Sequence, residues 1–152
     1  MKKFVVLFSL GLLAGCAASG GGELGPTVLE TPTYLRAERW VPKSFVQIQR
    51  GVFKHQAACH SNIRFAVDEL HPSYARIYMP LDSAPGQSST GMNRTMVLGL
   101  QLIEGKAARG RLYSYYTPTD TQIQEAYDIV LNPGLCPGDP RPAEPAKEKK
   151  AE

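Results

Sequence analysis

The chain has 152 residues, 43% of them hydrophobic and 20% charged, which is enough for one small domain with its own core. Its formal charge is +3, but Lys2 and Lys3 supply two of the positive charges, so the remainder is close to balanced. No basic excess is left to follow a phosphate backbone, which argues against nucleic acid as a partner.

Met1-Lys2-Lys3 opens the chain with positive charge, and the eleven residues Phe4–Ala14 are apolar except for Ser9 and Gly11. A helix that spans a bilayer needs about 20 apolar residues, so this run is too short to be a permanent span. Charge, a short apolar run and then small residues form the pattern of a secretory signal. A buried N-terminal helix fits less well, because the run has no polar face and passes at once into glycine-rich sequence.

The signal ends in Leu13-Ala14-Gly15-Cys16. This resembles the lipobox of bacterial lipoproteins: leucine, small, small, cysteine. The resemblance covers only the first sixteen residues. It implies a diacylglyceryl group on the Cys16 thiol, removal of residues 1–15 as a signal peptide, and acylation of the new amine, often with palmitate. The covalent lipid on Cys16 is then the one non-protein group expected, with no separate cofactor. An ordinary signal with a chance cysteine is the alternative. Ala17 stands where an aspartate would favour retention in the inner membrane. In a host with two membranes the resemblance therefore implies the cell outer membrane, with the protein facing the periplasm. One acyl chain binds marginally, at about 0.8 kcal/mol per buried CH₂, whereas two or three make dissociation negligible.

Residues 16–33 read as a lipidated flexible tether, since Ala17–Gly22 offers no side chain that could hold a core. Its typical reach is about 20–25 Å. The globular domain is expected over residues 34–137. Residues 138–152, rich in Pro, Ala, Glu and Lys, read as a disordered charged tail.

Within the domain, a short helix over Tyr34–Trp40 is weakly signalled. Phe45–Phe53 begins with strand-like alternation through Val46 and Ile48, with Gly51 as a bulge. Ile63–Val67, Arg76–Leu81, Met96–Ile103 and Leu112–Tyr116 each alternate with period two and predict strands with one face on a core. His71-Pro72-Ser73 and Glu104-Gly105-Lys106-Ala107 are turn-like links, which favour antiparallel pairing. Ile123, Ala126, Tyr127 and Val130 recur at helical spacing between Thr119 and Asn132-Pro133-Gly134, which predicts an amphipathic helix over about 120–131. The expected fold is α+β: about five antiparallel strands and one C-terminal amphipathic helix.

Three cysteines are an odd number for an exported chain. With Cys16 lipidated, Cys59 and Cys136 remain as a disulfide pair suited to an oxidising compartment. Two separate buried thiols are the alternative.

All three histidines, His55, His60 and His71, fall near Cys59 in sequence. Imidazoles with a thiolate could bind zinc or copper, and Met79, Met92 and Met96 could add soft ligands, so a periplasmic metal-handling module is one alternative function. The spacing matches no standard metal template, and a bridged Cys59 has no thiolate to offer. Gln56 stands where covalent haem attachment needs its first cysteine. Ser61 or Ser73 with His60 or His71 and Asp68 supply the residue types of a hydrolase, the second alternative, but no nucleophile elbow or carboxylate pair accompanies them. No catalytic residues are assigned.

Two surfaces are candidates for binding. One is the polar loop Asp82–Arg94, with Gln87, Met92 and Arg94. The other is the strand that carries Arg111, Tyr113 and Tyr115 on one face, since exposed Tyr and Arg favour interfaces. A helix or second sheet covering that face is the opposite expectation. The functional reading is a non-enzymatic lipoprotein, held by its lipid anchor, whose small domain binds another envelope protein in an accessory or assembly role.

Overall fold

The computed structural model describes residues 25–80 and 94–141. Five strands, β1 Leu35–Val41, β2 Arg64–Val67, β3 Tyr74–Pro80, β4 Thr95–Ile103 and β5 Ala107–Tyr113, form one antiparallel sheet in the order β1-β5-β4-β3-β2. Three helices accompany them: the single turn α1 Pro26–Leu29, the long α2 Phe45–Cys59, and α3 Asp120–Leu131 near the C-terminus. The fold is α+β, as the residue pattern predicts.

Two elements exchange roles relative to the sequence reading. Phe45–Cys59 is a helix, not a strand with a bulge at Gly51. Ser44 and Gln47 close a capping box at its start, with the Ser44 amide donating to Gln47 Oε1 at 2.9 Å. Its buried residues Ile48, Gly51, Val52 and His55 recur at steps of three and four. Tyr34–Trp40, weakly read as a helix, is mostly strand β1: Ala37 and Val41 pack on the core side while Glu38 and Trp40 point the other way. Helix α2 carries the chain from the β1 edge of the sheet to the β2 edge.

α2 and α3 lie together on one face. Val41, Ile77, Leu98, Leu100, Leu112, Ile48, Val52 and Tyr127 meet there in one fully buried cluster. Tyr127 satisfies its hydroxyl by donating to the Gly110 carbonyl at 2.9 Å, as a buried phenol must. Gly110 is needed for that approach, because a Cβ there would stand 3.1 Å from the Tyr127 ring. Lys43 closes the other end of α3, its ammonium donating to the carbonyls of Val130 at 2.6 Å and Leu131 at 3.0 Å.

The Cys59–Cys136 disulfide ties the end of α2 to the segment after α3, across a sequence separation of 77. A loop of that length stabilises the fold by about 4 kcal/mol in the chain-entropy account.

The packed unit is wider than residues 34–137. Leu29 is fully buried against Val97 and Tyr113, so the chain is already part of the domain within the stretch read as tether. At the other end, Arg141 lies 3.4 Å from Asp128 on α3.

Candidate functional site: the uncovered end of the sheet

The face of the sheet opposite the two helices carries a grid of side chains fixed by strand register. One row runs Trp40, Arg109, Gln101, Tyr74; the next runs Glu38, Arg111, Gly99, Arg76; the third holds Tyr113, Val97 and Tyr78. The N-terminal segment covers the third row. Leu29 and Tyr34 pack there with Val97, Tyr113 and Tyr78, and Tyr34 stacks on Tyr115 with ring centroids 4.4 Å apart.

A polar clasp fastens that segment to the sheet. Arg76 donates to both oxygens of Glu30, at 2.8 and 2.9 Å, and Tyr74 donates to the same carboxylate at 3.0 Å. Such a two-pronged guanidinium–carboxylate contact is among the stronger ionic hydrogen bonds. Arg76 also donates to Asp68 at 2.7 Å, and Asp68 accepts from the amides of Leu70 and His71, each at 3.0 Å. The Arg76 contact, foremost, holds the Asp68 carboxyl down to about 2. Burial, with the Glu30 charge beside it, pushes the Tyr74 phenol well above its usual range.

The first row is left open. Trp40 is 55% exposed on the edge strand. Beside it, Arg109, Arg111, Gln101, Tyr74, Ile103 and Tyr113 line a depression of about 180 Å³ with Gly99 among its walls. A Cβ at Gly99 would meet the Tyr74 hydroxyl and the edge of Tyr113, so glycine lets the two rings close over the strand. Glu38 holds both arginines, Arg111 at 2.7 Å and Arg109 at 3.5 Å. These three side chains are each nearly half exposed, so the pairs add little stability and the guanidinium groups can exchange Glu38 for another carboxylate.

Of the binding residues expected from sequence, Arg111 sits in this site. Tyr113 is on the expected face but only 6% exposed, so it is a wall rather than a contact residue. Tyr115 is half-buried against Tyr34, and the hydrogen bond between the two phenols, foremost, raises its own to about 12. Arg94 lies at the start of β4, the end remote from the depression. Gln87 and Met92 lie outside the described residues. Trp40, Tyr74, Gln101 and Arg109 were not singled out by the sequence reading. The alternation of Glu38 and Trp40 with Ala37 and Val41 was the signal for Trp40.

The other constellations disperse. His55 is buried on α2, its Nδ1 3.6 Å from the Cys59 sulfur that the disulfide occupies. His60 is exposed at the left-handed cap of α2, with φ 50°. His71 is exposed in the β2–β3 turn against Asp68, 3.2 Å away. Among the described residues no group of three or more His, Cys, Asp or Glu side chains is placed to hold a metal. Met79 and Met96 pack in the core instead. Ser73 accepts from Gln101 at 3.3 Å and the Ser61 hydroxyl oxygen is buried, and no described hydrogen bond joins either serine to a histidine.

No described helix is long and apolar enough to cross a membrane. No protein-family model matches the chain, and no curated protein matches it in sequence.

Proposed function

We propose that this protein is a non-enzymatic envelope lipoprotein, anchored in the outer membrane through Cys16 and facing the periplasm, whose domain binds another envelope protein through the open end of its sheet. The observation that carries the reading is Trp40, half out in solvent beside two arginines on a sheet face that the helices leave uncovered. Tryptophan and arginine are the residues most enriched where binding energy concentrates. The partner chemistry that fits is a segment with carboxylates to replace Glu38 on Arg109 and Arg111, and an apolar group for Trp40. A lipid anchor confines domain and partner to one surface, so modest intrinsic affinity suffices.

Metabolic labelling with palmitate tests the anchor. The wild-type protein is expected to take up label and fractionate with outer membrane, and Cys16→Ser is expected to do neither. Unlabelled wild-type protein in the soluble fraction overturns the reading.

A further inference from the structure

The cations of this domain are not distributed evenly with respect to their partners. On the open sheet face Arg76, Arg109 and Arg111 each have a carboxylate within ion-pair distance. On α2 no such partner exists among the described residues for Arg50 or Lys54. From Arg39 to Val67 the sequence has no Asp or Glu at all, while it carries Arg39, Lys43, Arg50, Lys54 and Arg64. Lys43, Arg50 and Lys54 line one shallow groove of about 290 Å³ between α2 and Pro133.

The same helix exposes apolar groups where a solvated helix should not. Val46 is 58% exposed and Phe53 57% exposed. At 3.6 residues per turn Val46, Arg50, Phe53 and Ala57 fall within one narrow stripe, directly opposite the buried Ile48, Val52 and His55. Lys54 and Gln47 flank that stripe on the groove side. An outward face that mixes a phenylalanine and a valine with unpaired cations matches the surface of a helix that lies in a lipid headgroup layer.

We infer that the outer face of α2 rests on an anionic lipid surface, with Phe53 and Val46 entering the headgroup layer and Arg50 and Lys54 on lipid phosphates. The groove's charge fits the occupant: three cations and no carboxylate among its lining residues. Lys54 lowers the affinity of Lys43 for its proton, second to burial, so positive potential accumulates along the groove, and a lipid phosphate beside Lys54 relieves it. The geometry also serves partner binding. α2 is packed against the sheet face opposite Trp40, so docking by α2 turns the open face away from the bilayer. Gly25 leaves the domain on the open side, and the nine residues back to Cys16 span at most about 30 Å, more than the roughly 20 Å of one sheet and one helix layer.

The inference is independent of the lipid on Cys16, because it concerns how the domain sits rather than whether it is held. The full chain is reconstituted with vesicles containing 30% phosphatidylglycerol and brominated acyl chains. Native protein reports through Trp40, its one tryptophan. A Phe53→Trp, Trp40→Phe variant reports from α2. The α2 reporter is expected to lose at least half its emission to the bromine quencher, and native Trp40 to lose little. Arg50→Glu with Lys54→Glu, or 0.5 M salt, is expected to restore the α2 emission, with about a fivefold weaker association per cation removed. Equal quenching on phosphatidylcholine alone, stronger quenching of Trp40 than of the α2 reporter, or no effect of the charge reversals overturns the inference. So does an α2 emission shift on adding an acidic polypeptide without lipid that equals the shift on adding vesicles, which would make the face a protein-docking surface. If palmitate labelling fails while α2 is quenched, only the anchor reading falls.

Discussion

The two faces of the sheet use the same alternating strands but are closed by different means. On the helix side, two capped helices, a disulfide and a continuous apolar cluster leave little freedom. On the other side, a single helical turn and one carboxylate, Glu30, fasten the N-terminal segment over one row of residues. Trp40, Arg109 and Gln101 of the first row stay exposed. The first face supplies stability; the second trades it for accessible polar and aromatic surface.

Breaking the helix side should have the largest effect. Replacing both bridge cysteines, Cys59→Ser with Cys136→Ser, is expected to cost about 4 kcal/mol in urea unfolding. A loss below 1 kcal/mol would mean that the helices need no staple.

Two glycines sharpen the comparison, since they lie on neighbouring strands and face opposite ways. Gly110→Ala would press a methyl group against Tyr127, Val41 and Leu98, at 3.1, 3.3 and 3.4 Å. None of these can move without disturbing the core, so about 1–3 kcal/mol is expected. Gly99→Ala meets the far end of Tyr74, which can swing out at the expense of its bond to Glu30. About 1 kcal/mol is expected, together with a change in tyrosine absorbance that Gly110→Ala lacks. Equal costs would mean that the two faces are equally rigid.

A smaller effect separates the faces by pH. Burial, foremost, lowers the proton affinity of His55 on the helix side, so its neutral form is the one that fits. Stability from this site is full above the ordinary value of 6.5 and declines as pH falls below it. Asp68, on the clasp, contributes above its ordinary 3.8 and loses that contribution as pH falls toward about 2. Stability curves against pH should therefore show two acid slopes. His55→Gln should flatten the upper one and Asp68→Asn the lower.

Much of the architecture was legible, and the misreadings have physical causes. β3 was legible because its burial alternates along its whole length; β4 is buried on both faces from Thr95 to Leu100 and was legible because Met96, Leu98 and Leu100 recur at every second position. α3 was clear because Ile123, Ala126, Tyr127 and Val130 recur at helical spacing between Thr119 and Asn132-Pro133-Gly134, although Asp128 and Ile129 are buried as well. α2 was hidden by its second apolar stripe: Val46 and Phe53 on the outside interfere with the period set by Ile48 and Val52, and the start looks like a strand. β1 was hidden by Arg39, which lies on the core side with its guanidinium 4.7 Å from the Tyr127 ring centroid, where an apolar residue was expected. The face of Tyr113 was read correctly from its parity with Arg111. Its burial depends on Leu29, more than 80 positions away and inside a stretch whose glycines pointed to a tether. The bridge between Cys59 and Cys136 followed from counting thiols. The site at Trp40 did not, because it depends on which end of the sheet the N-terminal segment covers.

The most direct test of the account places a photo-crosslinking residue at Trp40 in the full-length protein expressed in its own host, with a second at Phe53 for comparison. A discrete protein adduct from position 40 is expected. It should vanish with Arg109→Glu and Arg111→Glu and be missing from position 53. No adduct at position 40, or an equal one from position 53 that survives both charge reversals, would contradict the claim that the bare end of the sheet is where this protein meets its partner.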